Sequence, residues 1–450
     1  MLESNKTGYR VPPGYSTMRT LWRSFAYLKD PIKVVTGNME LFSGTYSAVL
    51  PGNLHLILTQ DPSFIQYVLR DNHTNYQKSA LTSDKAVRYF GKGVLFSNGE
   101  YWLKQRRLIQ PGFHREKLQG LYKIIVRTIE TALSAFPSGE GIDVYPLVHR
   151  AAFNVVIKSL FDIDLPEATM LELSEVFGEL QDFFIKEVNQ PFRKLLYPLN
   201  GADRKHEAKS KRLRAIFKDI IEQRRSGGSG GEAHDDLLDM LLNARYEDTG
   251  NPMSDDQLID EIQVLIFAGH ETTANTLSWL LYLLAGNGEV REALCRSIDG
   301  TAVLDSPGNV YINAVINESM RLYPAAWITE RVALADDGFG AFSFPAGTII
   351  IPFFYGLHRH ADYWEEPDRF RPERFLADNG TLKKTGNYFP FGAGPRLCVG
   401  NNFAMAEMSF FVHAFLSTFT IAPTGRTPVM RPLLTLRPDK VVLDIGRIGA

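Results

Sequence analysis

The 450-residue sequence predicts a mainly helical fold with a small β portion, and three observations lead to that prediction. From about residue 62 to 225, apolar residues recur at spacings of roughly three and four, the period of an amphipathic helix. One long helical pattern runs from Ser254 to Ala285. Strand-like runs are confined to about 40–60 and 328–355, so we expect a single domain over residues 1–450 with a small sheet.

Composition and charge exclude several classes of protein. Lys and Arg number 49 against 51 Asp and Glu, a formal charge of −2, which argues against a protein that mainly binds nucleic acid. Two cysteines cannot form a disulfide framework, which favours a reducing compartment. The N-terminal residues lack the apolar core of a signal peptide, and the longest apolar runs are too short to span a bilayer. We therefore expect a cytoplasmic monomer without a membrane anchor.

The first elements follow from local patterns. The runs TYSAVLPG and LHLILTQD predict two strands, separated by a turn at residues 51–53. Residues 226–236, SGGSGGEAHDD, predict a flexible surface loop within the helical region. The long helix has a capping box, in which Ser254 precedes Gln257, and Gly286 predicts its end.

The C-terminal half predicts two more helices and a group of strands. The pattern VYINAVINESMRLYP predicts a helix over 310–324 that stops at Pro324, because the proline ring blocks continuation. Strand-like pieces follow in ERVALAD and FSFPAGTIIIPFFYG, and an apolar helix begins at about residue 401.

One of the two cysteines, Cys398, lies in the loop FPFGAGPRLCVG, residues 389–400. Glycines in a loop let the backbone approach a flat or bulky ligand, and the helix that follows favours a thiolate. A thiolate can be a nucleophile or a metal ligand, but the loop holds neither a His base nor further Cys or His residues for zinc. A single thiolate as the sole strong protein ligand suggests an iron already held by a porphyrin.

This loop resembles the haem-binding loop of the cytochromes P450, whose pattern is Phe, two residues, Gly, one, Arg, one, Cys, one, Gly. The positions of that pattern, with one additional glycine that the family often has, are Phe391, Gly392, Gly394, Arg396, Cys398 and Gly400. The resemblance implies that Cys398 is the axial ligand of the iron of haem b and that Arg396 pairs with a haem propionate.

A second motif, AGHETT, lies inside the long helix. In isolation it indicates a helix bent by Thr side chains that bond back to carbonyls. A buried Glu-Thr pair in an apolar helix is nevertheless costly unless it is used. The same pattern in the cytochromes P450 lies over the distal face of the haem, which implies that Glu271 and Thr272 relay protons and that Ala268 and Gly269 leave room for dioxygen.

Two further motifs concern charge. Glu318 and Arg321 share a helix face, and as a surface pair they would contribute only about 0–1 kcal/mol. NESMRLYP resembles the Glu-x-x-Arg helix of the family, and PERF supplies Arg374, so the implied triad is structural and holds the loop of Cys398. Other family positions imply haem-propionate contacts, and these residues are Trp102, Arg106, Arg331 and Lys78.

The resemblance runs in order from Trp102 to Gly400 and implies the triangular helical prism of the family. The implied activity is insertion of one oxygen atom of O₂ into a lipophilic small molecule, by hydroxylation or epoxidation. Electrons would come from a separate ferredoxin or flavodoxin with its reductase, because the sequence has no flavin or nicotinamide pattern and no fused reductase. The basic residues Lys104, Arg107 and Arg115 are the predicted docking site for an acidic donor.

The substrate pocket is predicted from family positions at about 76–96, 170–195, 262–272 and 325–330. The predicted lining residues, all apolar, are Val94, Leu95, Leu265, Phe267, Ala268, Trp327 and Ile328. They favour a lipophilic substrate and leave fatty acids, terpenoids and steroids open. The alternatives are a peroxygenase or isomerase on the same fold, a non-enzymatic haem sensor, and a haem-free cysteine hydrolase.

Overall fold

A computed structural model describes residues 8–162, 165–189, 201–226, 236–376 and 386–449. The loop predicted over 226–236 lies outside the described residues except for its first and last positions.

The secondary structure is mainly helical. The α-helices are α1 (Thr17–Lys29), α2 (Pro31–Leu41), α3 (Pro62–Gln66), α4 (Ala80–Phe90), α5 (Gly99–Ile109), α6 (Arg115–Ser134), α7 (Tyr145–Phe161), α8 (Glu167–Asn189), α9 (Ala202–Arg225), α10 (Leu237–Asn243), α11 (Asp255–Gly286), α12 (Gly288–Ile298), α13 (Val310–Leu322), α14 (Phe354–Leu357), α15 (Glu373–Leu376) and α16 (Asn401–Thr418). The strands are β1 (Gly14–Tyr15), β2 (Thr45–Leu50), β3 (Leu54–Thr59), β4 (Tyr76–Gln77), β5 (Gly139–Asp143), β6 (Arg331–Ala333), β7 (Asp337–Phe339), β8 (Phe342–Phe344), β9 (Ile349–Pro352), β10 (Phe419–Pro423), β11 (Met430–Pro432), β12 (Leu436–Pro438) and β13 (Val442–Arg447). The predicted fold class, mainly α with a small β portion, is confirmed.

The contacts of the chain define two compact units, and each is assembled from segments that are distant in sequence. The first unit comprises Met1–Ser79, Ala314–Cys398 and Met430–Arg437. The second unit comprises Ala80–Asn313, Val399–Val429 and Pro438–Ala450. The single domain over residues 1–450 stays a prediction.

A six-stranded sheet organises the first unit, in the order β1-β2-β3-β9-β6-β4. The predicted hairpin is confirmed, because β2 and β3 pair antiparallel with Thr45 opposite Thr59. Its turn uses left-handed backbone at Gly52 (φ +82°) and Asn53 (φ +58°), conformations that these two residue types tolerate best. The strands β6 and β9 belong to the same sheet, which confirms the predicted β segment near 328–355.

The long helix α11 organises the second unit. The side chain of Ser254 accepts a hydrogen bond from the backbone N–H of Gln257, so the predicted N-cap is confirmed. The 32 residues of α11 correspond to about 48 Å at ~1.5 Å per residue. Helix α7 crosses closely at Gly269, where an added Cβ would lie 3.2 Å from a methyl carbon of Val156.

The structure contains the two other helices that were predicted with a boundary, and one of them ends slightly earlier than expected. Helix α13 ends at Leu322 rather than 324, because a residue that precedes proline disfavours the α conformation. The apolar helix predicted from about 401 is α16. None of the helices in the described part of the chain combines the length and the hydropathy needed to cross a bilayer.

Candidate functional site

The loop of Cys398 belongs to the first unit and is shaped by glycine. Gly394 has φ +68°, and a side chain there would overlap the backbone carbonyl of Leu69, so only glycine fits. Gly392 has φ +74° and donates its N–H to the carbonyl of Phe389 (3.1 Å). The backbone N–H of Cys398 donates to the carbonyl of Phe391 (3.0 Å). Because Cys398 itself is exposed, its thiol is accessible to a ligand.

The other cysteine, Cys295, lies on α12 in the second unit. It is half-buried, and burial raises the pKa of its thiol. A raised pKa favours the neutral thiol, which is a poor nucleophile and a poor metal ligand.

The predicted charge triad is present and buried in the first unit. The guanidinium of Arg321 donates to both carboxylate oxygens of Glu318 (2.7 and 2.8 Å), and neither side chain is exposed. Arg374 donates to Glu318 Oε1 (3.1 Å). The Glu318–Arg321 ion pair is therefore buried and not at the surface, and each charge is stabilised by its partner instead of by water.

The triad continues towards the loop of Cys398 through a histidine. Arg321 also donates to the backbone carbonyl of His358 (2.8 Å), and Nε2 of His358 accepts the N–H of Phe389 (2.9 Å), the first residue of the loop. Burial and the neighbouring positive charges lower the pKa of His358 to about 3, so the imidazole is neutral and can accept this bond. Tyr388 adds a second link, since its hydroxyl donates to the carbonyl of Asn317 on α13 (2.8 Å).

His358 is a single histidine without metal-ligand spacing, so the sequence indicates no function for it. Its role as a backbone acceptor has no sequence pattern, because the bond joins residues 31 positions apart. The same holds for Asn317 and Tyr388, which are 71 positions apart.

Three cations gather in the first unit among the residues predicted to bind haem propionates. Burial, and the positive charges of Arg331 and Arg396, lower the pKa of Lys78 well below its usual value. Burial also lowers the pKa of Arg331 to about 10, and its side chain is only 7% exposed. Lys78 and Arg396 are half-buried, and a cluster of positive charge with a buried member is stabilised by an anionic ligand.

Trp102 and Arg106, the other two predicted propionate contacts, lie on α5 in the second unit. They are one helical turn apart and half-buried. Nε of Arg106 donates to Oε1 of Gln110 (3.1 Å).

The middle of α11 contains the residues of the AGHETT motif. From Glu261 to Leu281, all residues of the helix are buried except Ala268, Gly269 and Thr272, which are half-buried. Ala268 and Thr272 are four residues apart, so they share one face, and Thr272 Oγ1 donates to the carbonyl of Ala268 (2.9 Å). Within Glu261–Leu281 the helix is therefore accessible only at Thr272 and at Ala268 and Gly269, the two residues predicted to leave room for a small ligand.

Glu271 is 2% exposed and accepts a hydrogen bond from the side-chain amide of Gln181 on α8. Gln181 is itself buried, so the two polar groups satisfy each other in an apolar region. Gln181 was not predicted as a site residue. The sequence shows only a Gln among the apolar residues of α8, a pattern that is common in helices and indicates no function.

Aromatic residues line the second unit next to the AGHETT motif. The ring centroid of Phe267 lies 4.3 Å from that of Phe90 and 6.1 Å from that of Phe96. Phe90 also packs edge-on against Phe184, with 6.0 Å between the ring centroids. Phe90 and Phe96 were not among the predicted pocket residues. Of the predicted ones, Val94 and Leu265 are buried in this unit and Leu95 is half-buried.

A buried acid ties this segment to α11. Oε2 of Glu261 accepts the backbone N–H of Val94 (2.8 Å), and burial raises the pKa of Glu261 to about 8. Glu261 lies two helical turns before Ala268, on the same face of α11.

Trp327 and Ile328, the remaining predicted pocket residues, belong to the first unit. Trp327 is 2% exposed in a cluster with Tyr46 and Phe353, and its indole N–H donates to the carbonyl of Leu433 (2.9 Å). Ile328 packs against this cluster. Residues 190–195 of the predicted pocket lie outside the described residues.

Lys104 and Arg107, two of the three predicted donor-docking residues, line a surface groove of about 640 Å³ in the second unit. Lys104 is paired with Asp248 (2.5 Å) and Arg107 with Glu247 (3.3 Å), while Arg115 is exposed. An acidic donor would therefore compete with Asp248 and Glu247 of the same chain for Lys104 and Arg107.

The residues of the first unit fit a haem. The exposed thiol of Cys398 lies in a loop whose glycines allow a flat group to approach. The cations Lys78, Arg331 and Arg396 provide the positive charge that two carboxylates need. A porphyrin that brings its own iron needs only one strong protein ligand.

Comparisons with known proteins identify the family of this chain. The model of the family "Cytochrome P450" matches residues 12–444. Cyclooctat-9-en-7-ol 5-monooxygenase of Streptomyces melanosporofaciens is 32% identical to this chain over 350 residues, which is 76% of each chain. Cyclooctatin synthase of the same organism is 28% identical over 382 residues, which is 83% of each chain. The crystal structure of the haem domain of cytochrome P450DA superposes with a TM-score of 0.81 at 22% identity over 91% of each chain. With a family model that spans nearly the whole sequence and a shared fold, this chain is a member of the cytochrome P450 family.

Proposed function

We propose that this protein is a haem b monooxygenase that inserts one oxygen atom of O₂ into a cyclic terpenoid, with electrons from a separate ferredoxin or flavodoxin system. The observation that carries the proposal is the accessible face of α11 at Ala268, Gly269 and Thr272, beside the buried carboxyl group of Glu271. An acid and an alcohol at such an opening suit a reaction that consumes protons and a small gas molecule.

The haem would be held by the residues that the sequence motifs predict for it. The thiolate of Cys398 would hold the haem iron, and a haem held in this way would supply the binding and reductive activation of dioxygen. The propionates would be neutralised by Arg396, Arg331 and Lys78. Trp102 and Arg106 of α5 would add further propionate contacts. Phe391, Gly392 and Gly400 would lie against the porphyrin in the proposed arrangement.

Protons would pass along α11. The carboxyl group of Glu271, held by Gln181, would take up a proton, and the hydroxyl of Thr272 would pass it on. A hydroxyl can accept one hydrogen bond while it donates another, and the present donation of Thr272 to the Ala268 carbonyl leaves its lone pairs available. Rotation of the Thr272 hydroxyl about its Cβ–Oγ1 bond redirects its own proton.

The relatives and the apolar pocket support a terpenoid substrate. Two relatives carry the names cyclooctat-9-en-7-ol 5-monooxygenase and cyclooctatin synthase, and the first name describes an oxygenase that acts on a cyclic alkenol. The proposed pocket would be formed by Leu265, Phe267 and Val94 with the aromatic rings of Phe90 and Phe96, which match a rigid hydrocarbon. Glu261 is a polar group at the edge of this region.

We expect the enzyme, supplied with a surrogate ferredoxin and its reductase, to convert a cyclic terpenoid to a product with one oxygen atom from ¹⁸O₂. In Thr272→Ala, the haem spectrum and the substrate-induced spectral shift should be retained, while product formed per NADPH consumed falls by about tenfold or more, because proton delivery is misdirected. Product yield, NADPH consumption and peroxide release measure this coupling.

Thr276→Ala is a matched control, because the Thr276 hydroxyl donates to the carbonyl of Thr272 (2.9 Å) in the same way, one turn further along α11. Its coupling should equal that of the wild type, and Thr272→Ser should retain coupling. A fully coupled Thr272→Ala enzyme would disprove the relay. Full turnover on hydrogen peroxide alone would instead favour a peroxygenase, and turnover of linear fatty acids but no terpenoid would refute the substrate class.

A further inference from the structure

Helix α1 presents an apolar face to solvent. Its exposed side chains, with their exposed fractions, are Met18 (79%), Leu21 (42%), Trp22 (77%), Phe25 (77%) and Leu28 (36%). No residue of α1 is buried. Soluble proteins rarely expose such a contiguous apolar patch unless it serves an interaction.

The orientation of α1 is the reverse of an ordinary surface helix. At ~100° per residue, the five exposed apolar side chains fall within an arc of about 120°. The opposite face is attached to the first unit by polar contacts: Arg23 donates to Oδ1 of Asn38 (2.8 Å) and stacks over the ring of Tyr15 (4.7 Å). Thr20 Oγ1 donates to the carbonyl of Tyr15 (3.4 Å). Tyr27 lies on the same side and packs against the hydrophobic cluster that contains Trp327 and Phe353. The side with the polar contacts and Tyr27 therefore faces the protein, and the side with the five exposed apolar residues faces outwards.

The charge of α1 has a single sign. The helix contains Arg19, Arg23 and Lys29 and no acidic residue, and both Arg19 and Lys29 are exposed. Cations beside exposed Trp and Phe side chains are the composition of helices that lie in the interface of an anionic bilayer. A second copy of the helix would instead bring like charges together at a two-fold interface.

We propose that α1 docks the protein onto the surface of an anionic phospholipid bilayer. Trp22, Phe25 and their apolar neighbours enter the boundary between head groups and acyl chains, and Arg19 and Lys29 pair with lipid phosphates. The helix lies in the plane of the interface and does not span the bilayer. This inference is independent of the proposed activity, and it adds a peripheral contact that the sequence analysis, which considered spanning anchors, did not predict.

The test is co-sedimentation of the full-length, haem-loaded protein with vesicles. The wild type should bind vesicles of phosphatidylcholine with about 30% phosphatidylglycerol and should bind pure phosphatidylcholine much more weakly. Raising the salt from about 0.05 M to about 0.5 M should weaken the binding several-fold. The double variant Trp22→Ser/Phe25→Ser should lose about tenfold or more in affinity, and so should Arg19→Glu/Lys29→Glu.

Val310→Ser is the matched control, because Val310 is an isolated apolar side chain that is 66% exposed in the second unit. Its vesicle binding should be unchanged, and the haem spectra of all variants should match that of the wild type, which excludes misfolding. Equal binding of the wild type and both double variants, or equal binding to neutral and anionic vesicles, would overturn the proposal. A wild-type dimer that Trp22→Ser/Phe25→Ser converts to monomer, without vesicle binding, would overturn it in favour of a self-association surface.

Discussion

Replacement of Cys398 by Ala is expected to abolish the shifted Soret band that a thiolate-ligated haem shows in its reduced carbon monoxide complex. The thiol of Cys398 is exposed in a loop that Gly392 and Gly394 open to a flat ligand, and the helix α16 begins three residues later. No other side chain of the loop can donate a strong soft ligand to iron. Monooxygenase turnover should fall to background together with the spectral band.

Cys295→Ala is the matched control, because it removes the only other cysteine of the sequence. It should leave both the spectrum and the turnover unchanged. Retention of the thiolate band in Cys398→Ala would show that the assigned ligand is wrong. Activity in a colourless, haem-free protein would favour the cysteine hydrolase over the haem enzyme.

Replacement of Arg321 by Leu is expected to destabilise the protein by about 3–5 kcal/mol, because it leaves the buried carboxylate of Glu318 without its main partner. The guanidinium also donates to the carbonyls of His358 and Pro367, which lose those bonds in the variant. Chemical unfolding, followed by far-UV circular dichroism, measures the loss. The rate of haem dissociation should rise as well, because the same network reaches Phe389 through His358.

Arg369→Leu is the control for this prediction, because Arg369 pairs with Glu366 at the surface (3.3 Å, with side chains 64% and 48% exposed). An exposed pair of this kind contributes about 0–1 kcal/mol. If Arg321→Leu unfolded at the same denaturant concentration as Arg369→Leu, the buried network would not support the fold. Unchanged haem dissociation in a destabilised Arg321→Leu variant would separate the network from the loop of Cys398.

The secondary structure was largely predictable because local chemistry decides it. The long helix was predicted over 254–285 and is observed over Asp255–Gly286, since the Ser254 cap and the terminal glycine act within a few residues. The β2–β3 hairpin was predictable for the same reason, as Gly52 and Asn53 tolerate the left-handed turn. The order of the six strands was not predictable, because β3 pairs with β9 and β6 with β4 across hundreds of residues.

The candidate site was only partly predictable. Short motifs revealed Cys398, the Glu271–Thr272 pair and the Glu318–Arg321 pair, since their residues are adjacent or one turn apart. Gln181 escaped because its bond to Glu271 spans 90 positions. The predicted cluster of Lys78, Arg331 and Arg396 needed the resemblance to the family, because no local pattern joins these residues.

The sequence by itself determined the cofactor class, the reaction class and the elements that carry the motifs, because cap residues, glycine turns and ligand spacings are properties of a few neighbouring residues. Only the tertiary structure decided which polar groups are buried together, such as Glu271 with Gln181 and His358 with Phe389. It also decided which face of α1 is exposed: the periodicity of an amphipathic helix predicts an apolar stripe, but the contacts of Arg23 with Asn38 and Tyr15 turn that stripe towards solvent. The physical reason is that burial and hydrogen bonding between distant residues depend on how the elements pack, which a local pattern does not encode.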